Sequence, residues 1–96
     1  MPIDHREAAQ GHLITLITLL QERLAPPHGE TLVGECEALS KAIRAFHMEG
    51  IRFRMFNVDR LLSTVEVPAE ARTEFSSVRR ELEAAGFHTR SHQAPT

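Results

Sequence analysis

The fold class depends on residues 51–65, IRFRMFNVDRLLSTV, which fit two kinds of secondary structure. Residues 51–55 alternate apolar and charged side chains, as a half-buried strand does. Apolar residues also recur every three or four positions, at Ile51, Met55, Val58, Leu62 and Val65. Because the helical pattern covers fifteen residues and the strand pattern five, and because one strand lacks a pairing partner, we predict a helix. The alternative is a shorter helix capped by Asn57, with residues 51–56 irregular.

Two earlier segments show the same helical spacing. The first helix is predicted to start at Asp4, with Glu7 as its capping-box partner, and to end before Pro26–Pro27. The second should start near residues 30–31, with Gly50 as a stop or a bend. Their buried faces are predicted to contain Ala9, Leu13, Leu16, Ile17, Leu20 and Leu24, and then Leu32, Cys36, Leu39, Ile43 and Phe46.

The last segment has clear signals at both ends. Pro68 suits the first position of a helix, and Glu70 suits its first turn. Gly86 suits the left-handed position after the helix, from which Phe87 can fold back onto Leu82. The apolar positions are Ala71, Phe75, Val78, Leu82 and Ala85.

Together the segments predict an all-α fold, a small up-down bundle of three or four helices that is completed by dimerisation. Short connections favour antiparallel neighbours. Residues 1–87 should form a single helical domain, and residues 88–96, which have no apolar periodicity, a flexible C-terminal tail. In the alternative, the second and third helices continue through Gly50, and the three-helix chain pairs with a copy of itself.

The first helix carries more apolar surface than one core contact needs. At about 100° per residue, Ile14 lies about 100° to one side of Leu13, and Leu19 about 120° to the other. We interpret Ile14 and Leu19 as a self-association surface in a homodimer, because closed two-fold assemblies are the commonest. The alternative is that the twist of the bundle buries both side chains within one chain.

The third helix is predicted to bind a partner protein. Phe53 and Phe56 fall opposite its apolar positions, together with Arg52 and Arg60. Phe53 lies about 60° from Phe56 on the helical wheel, and Arg60 falls between them. Aromatic side chains and arginine are enriched at the centres of protein interfaces.

The composition excludes several classes of protein. The 96-residue chain has a net charge of −2 and a pI near 6.3, so we expect no general binding to nucleic acid or anionic lipid. No apolar run reaches the ~20 residues of a membrane span, and none has the pattern of a secretory signal. The single cysteine, Cys36, cannot form an intrachain disulfide, which favours a reducing compartment, and we expect a cytoplasmic protein.

The chain contains six histidines, a side chain that commonly binds metal ions. His5 and His12 are seven residues apart, and His88 and His92 are four apart. Neither pair has a third ligand beside it, so we expect no metal and no other cofactor.

His47 lies in the second helix, one residue after Phe46 and beside the apolar face, and is expected to be partly exposed. In this it resembles the phosphoacceptor of the histidine phosphotransfer domains, which are four-helix bundles, and the resemblance implies phosphotransfer on His47. The family has a lysine three residues after the histidine and a glycine four after. Here Gly50 stands three residues after the histidine, where the family has the lysine. The neighbouring Glu49 is acidic, whereas a positive charge would help to hold phosphate. The resemblance covers only these few residues.

The sequence contains no Gly-rich phosphate loop and no Ser/His/Asp arrangement in a recognisable context. We therefore expect a non-enzymatic helical protein–protein interaction module, a small adaptor or regulator that self-associates. The alternative function is a signalling carrier that is phosphorylated on His47.

Overall fold

The computed structural model describes residues 3–87 and Thr89, and this part of the chain holds four α-helices and no strand. Helix α1 spans His5–Arg23, α2 His28–Arg44, α3 Met48–Thr64 and α4 Ala69–Ala84. The predicted all-α fold is confirmed, with four helices of the three or four predicted, since α2 and α3 do not continue through Gly50 as one helix. Helix α2 starts two to three residues earlier than predicted, and Pro68 precedes α4 as its N-cap residue.

The helices enclose one apolar core. Helix α1 packs against α4 and α2, and α2 packs against α3. All four helices contribute buried side chains, which are Ala9, Leu13, Leu16, Leu20, Leu32, Cys36, Leu39, Ile43, Ile51, Met55, Val58, Leu62, Ala71, Phe75, Val78 and Leu82. Between α3 and α4, an ion pair joins Asp59 to Arg79 at 3.6 Å. No described helix is long and apolar enough to cross a membrane.

Residues 51–64 are helical, so the helical interpretation is confirmed over the strand. The apolar face of α3 is buried, as its spacing requires. Glu35 of α2 links α2 to α3. Its Oε1 atom accepts hydrogen bonds from Arg54 at 3.1 Å and from Asn57 at 3.2 Å. Asn57 therefore lies inside the helix and does not cap it.

The predicted ends of α1 and α4 are confirmed. The Asp4 carboxylate accepts a hydrogen bond from the backbone N–H of Glu7 at 3.0 Å. After α4, Gly86 has a φ of 100°, and the N–H of Phe87 donates to the carbonyl of Leu82 at 2.9 Å. This is a Schellman motif, in which glycine adopts the left-handed conformation without a Cβ clash. Phe87 packs against the core.

The turn between α2 and α3 differs from the prediction. Helix α2 stops at Arg44, and Phe46 takes the left-handed position with a φ of 55°. Phe46 was predicted to be in the core, but it is 62% exposed. Gly50, the predicted stop, lies in the first turn of α3. A Cβ atom there would come within 2.7 Å of His47 Nδ1, which is why glycine fits this position.

Of the predicted tail, residues 88–96, only Thr89 is among the described residues. Thr89 is buried, and its carbonyl accepts a hydrogen bond from Arg79 at 2.9 Å. Its hydroxyl donates to Glu83 at 2.9 Å. The rest of the predicted tail, including His88 and His92, lies outside the described residues.

Candidate functional site

The outward side of α1 is free of charged residues over most of its length. Between Glu7 and Glu22 there is no Asp, Glu, Lys or Arg, in a helix of nineteen residues. Four exposed residues of this run, Gly11, Ile14, Thr15 and Thr18, form what we call the α1 face, and Gln21 near the end of the helix is exposed as well. Ile14 is 63% exposed. Exposed helix surfaces normally carry charged side chains, so the α1 face is unusual for a surface in contact with water.

The hydroxyl groups on the α1 face are already hydrogen-bonded. Thr15 donates to the carbonyl of Gly11 at 3.2 Å, and Thr18 donates to the carbonyl of Ile14 at 3.0 Å. Threonine commonly bonds in this way to the preceding turn of its own helix. A second surface can therefore cover both threonines without leaving a buried hydroxyl unpaired.

The α1 face also lowers the stability of its own helix. Glycine inside a helix costs about 1 kcal/mol relative to alanine, and each β-branched residue costs roughly 0.5 kcal/mol. Nothing lies within 4 Å of a Cβ atom built on Gly11, so no neighbour in the chain requires glycine there. A conflict between local preference and fold is expected at functional surfaces.

The two residues predicted for self-association lie on opposite sides of Thr18, which is at the centre of the α1 face. Ile14 lies about 40° from Thr18 on the side of α2, and Leu19 about 100° from it on the side of α4. The sides are defined by Gln10, which bonds to α2, and His12, which bonds to α4. Leu19 is half-buried, so it contributes less exposed surface than Ile14.

The residues predicted to bind a partner lie on one side of α3, and we call Arg52, Phe53, Phe56 and Arg60 the α3 surface. Phe53 is 43% exposed and Arg60 is exposed, while Arg52 and Phe56 are half-buried. Arg52 forms an ion pair with Glu49 at 3.3 Å. Its Nε atom is buried and has no hydrogen-bond partner in the described part of the chain.

An exposed cluster at the end of the bundle was not predicted from the sequence. The guanidinium of Arg6 lies 3.8 Å from the centre of the Phe46 ring, and the centres of the Phe46 and Phe87 rings are 6.4 Å apart. Arg6 also donates to the carbonyl of Ile43 at 3.4 Å. The cluster joins the start of α1 to the α2–α3 turn and to the residue that follows Gly86. Phe46 has the spacing of a core residue, so no sequence signal distinguished it.

His47 is exposed and lies in the α2–α3 turn, not midway along a helix. Its Nδ1 atom accepts a hydrogen bond from the backbone N–H of Gly50 at 2.8 Å and so caps α3. This bond places the ring hydrogen of the neutral side chain on Nε2. His47 and Gly50 border a groove of about 590 Å³ between α2 and α3, together with small residues of α2.

Cys36 is fully buried in the core. Burial, together with the neighbouring carboxylates of Glu35 and Glu37, raises the pKa of its thiol to about 12. Since the thiolate is the reactive form, Cys36 is chemically inert in the folded chain.

No group of three or more potential metal ligands lies together among the described residues. His5 and His12 do share one side of α1, but each pairs with a carboxylate of α4. No protein family, curated protein or solved structure matches the chain at a significant level.

Proposed function

We propose that the chain is a non-enzymatic protein–protein interaction module, a small adaptor or regulator, that self-associates through the α1 face. The observation that carries this proposal is Ile14, which is 63% exposed within a stretch of helix that lacks charged residues. Exposed helix surfaces normally carry charged side chains, so an uncharged surface around an exposed isoleucine suits contact with another protein. The hydroxyls of Thr15 and Thr18 also support it. Each already donates to a backbone carbonyl of α1, so covering this surface leaves neither hydroxyl without a hydrogen bond.

The proposed dimer is weak. Helix α1 has nineteen residues and is therefore about 28 Å long. One helix face of this length offers less than the roughly 800 Å² per partner of a standard interface. We therefore expect a dissociation constant in the micromolar range, which suits a reversible regulator.

The α3 surface is proposed as the binding site for a different protein. Phe53 supplies exposed aromatic area, and Arg60 supplies an exposed cation at the same surface. Arginine stacks on aromatic rings and pairs with carboxylates, so the partner is expected to present aromatic and acidic side chains. The single, buried Cys36 supports a reducing location, and we propose the cytoplasm.

Sedimentation equilibrium over about 5–200 micromolar tests the self-association. We expect the average mass of the wild-type chain to rise above 10.8 kDa with concentration. Ile14→Glu should keep the chain at its monomer mass, because it places a charge in the interface. Ile3→Glu is the matched control, since Ile3 is 67% exposed but lies outside the α1 face. A wild-type mass of 10.8 kDa throughout contradicts the proposal.

A further inference from the structure

Three histidines in the described part of the chain form side-chain hydrogen bonds, and their partners differ in kind. His5 and His12 of α1 each bond to a carboxylate of α4, at 2.6 Å and 2.8 Å. His47 instead bonds to a backbone N–H group, that of Gly50, at 2.8 Å. A protonated imidazole carries hydrogen on both ring nitrogens, so it can donate to a carboxylate but cannot accept from an N–H group. Protonation therefore preserves the first two bonds and breaks the third.

We propose that His47 is a pH-sensitive cap, whose protonation releases the first turn of α3 from the α2–α3 turn. Protonation removes the acceptor for the Gly50 N–H, and it also places a positive charge at the N-terminus of α3, where the helix dipole disfavours cations. Both effects weaken the start of the helix. Because only the neutral ring caps, its stabilisation is present at higher pH and is lost as the pH falls through the range in which histidine titrates, from about 8 to 5.

The charged groups that face His47 across the groove between α2 and α3 largely cancel. This groove carries Glu37 and Lys41 from α2 and Arg54 from α3. Glu37 and Lys41 have opposite charges, and Arg54 forms an ion pair with Glu35 at 3.1 Å. The groove therefore gives the ring little preference for the charged form.

The other charged groups near the cap have partners of their own. Glu49, on the first turn of α3, forms an ion pair with Arg52 at 3.3 Å. From α1, Arg6 stacks on Phe46, and the residue that approaches from beyond α4 is the uncharged Phe87. Among the residues that the structure describes, no carboxylate forms an ion pair with the capping ring, unlike the two histidines of α1.

The packing of α3 confines the effect to one part of the bundle. Helix α3 packs mainly against α2, whereas α1 packs against both α4 and α2. Acidification that breaks the bond of His47 leaves the two histidine–carboxylate bonds between α1 and α4 in place. The start of α3 is thus the part of the chain that this device loosens.

Two variants hold the cap in its two states. His47→Asn keeps the cap at every pH, because asparagine is a preferred N-cap residue whose side chain does not titrate. Position 47 has the extended backbone of an N-cap, with a φ of −91° and a ψ of 93°. Gly50→Ala holds the ring away at every pH, because its Cβ atom would lie 2.7 Å from the Nδ1 atom of His47.

Hydrogen exchange of the amide at position 50, followed by NMR, measures the cap directly. Wild type is compared with His47→Asn at the same pH, which removes the intrinsic pH dependence of exchange. The two rates should agree within about twofold at about pH 7.5, and wild type should exchange about fivefold faster at about pH 5, as expected for the loss of a typical cap. In Gly50→Ala the amide should be unprotected at both pH values.

His28→Asn is the matched control, because His28 is an exposed histidine in the first turn of α2, where no side chain caps the helix. In urea denaturation, His47→Asn should be more stable than wild type at about pH 5 and equally stable at about pH 7.5. His28→Asn should gain less at the lower pH. Equal exchange of the Gly50 amide in wild type and His47→Asn at about pH 5 overturns the proposal. A gain in His28→Asn as large as that in His47→Asn also overturns it, since the effect would then come from any charge at a helix N-terminus.

Discussion

The Nδ1 atom of His5 lies 2.6 Å from a carboxylate oxygen of Glu81, so the first turn of α1 is tied to the last turn of α4. A second pair, His12 with Glu74 at 2.8 Å, lies seven residues along each helix. Because the two helices run in opposite directions, the pairs form two successive links along one contact. They fix the orientation of α1 and hence the direction in which the α1 face points.

The first prediction concerns stability in acid. The hydrogen bond from His5 lowers the pKa of Glu81 below its ordinary value of 4.5. A carboxyl group whose pKa is lower in the folded state stabilises the fold above its ordinary pKa, and this contribution is lost as the pH falls through the folded pKa. Glu81→Gln should therefore be less stable than wild type at about pH 7, and the difference should shrink as the pH falls below 4.5 and through the folded pKa.

Urea denaturation at several pH values measures this effect. Glu37→Gln is the control, since Glu37 is an exposed carboxylate on α2. A stability difference between Glu81→Gln and wild type that stays constant with pH would show that the His5–Glu81 pair does not contribute through its charge.

The second prediction concerns the thiol. Burial raises the pKa of Cys36 to about 12, so almost no thiolate is present in the folded chain at neutral pH. Iodoacetamide at about pH 8 should label Cys36 only after the chain is unfolded in guanidinium. Labelling of the native chain at the rate of a free thiol would place Cys36 at the surface.

The third prediction concerns the left-handed residue at the α2–α3 turn. Phe46→Ala removes the contacts with Arg6 and Phe87 but keeps a side chain in the unfavourable conformation, so it should destabilise the chain by about 1–2 kcal/mol. Phe46→Gly loses the same contacts but relieves about 1 kcal/mol of backbone strain, and its stability should lie near that of wild type. Urea denaturation of both variants provides the test. An alanine variant as stable as the glycine variant would contradict the strained backbone.

The fourth prediction compares two glycines within helices. Gly50→Ala should destabilise the chain by about 1–2 kcal/mol, because the new Cβ atom displaces the His47 ring that caps α3. Gly34→Ala should instead stabilise it by roughly 0.5–1 kcal/mol, since nothing lies within 4 Å of that position. Thermal denaturation measures both changes, and the prediction fails if they have the same sign.

The fifth prediction addresses the phosphotransfer alternative. In the capped state, the Nδ1 atom of His47 is occupied by the Gly50 N–H, and Nε2 carries the ring hydrogen. Neither nitrogen then offers a free lone pair to a phosphodonor. We expect incubation with a small phosphodonor to leave the chain without phosphohistidine. A stable label that His47→Ala abolishes would instead support the signalling carrier.

Helical spacing was sufficient to predict the core, and it distinguished helix from strand at α3. Ile51, Met55, Val58 and Leu62 are all buried, as their positions on one helix face required. The same spacing gave the wrong result at Phe46. Periodicity assumes a continuous helix, but the backbone had already entered the left-handed region at that residue.

The side-chain contacts between helices were harder to predict from the sequence than the core. His5 and His12 have a visible seven-residue spacing, and so do Glu74 and Glu81. Their pairing depends on α1 lying antiparallel against α4, which no single helix specifies. The capping role of His47 was equally hidden, because histidine is not among the preferred N-cap residues. Ile14 and Leu19 were both predicted to be surplus apolar surface on α1. Because the neighbours of α1 cover part of Leu19, only Ile14 is mostly exposed.

The order of packing, α4–α1–α2–α3, has a consequence for hydrogen exchange. Helix α1 is supported on both sides, whereas α3 packs mainly against α2. Local opening starts where a helix can detach without disturbing the others. Amide protons of α3 should therefore exchange with solvent deuterium before those of α1. The two inner helices, α1 and α2, would then be the slowest-exchanging of the four described helices, and the α1 face would lie on a rigid platform.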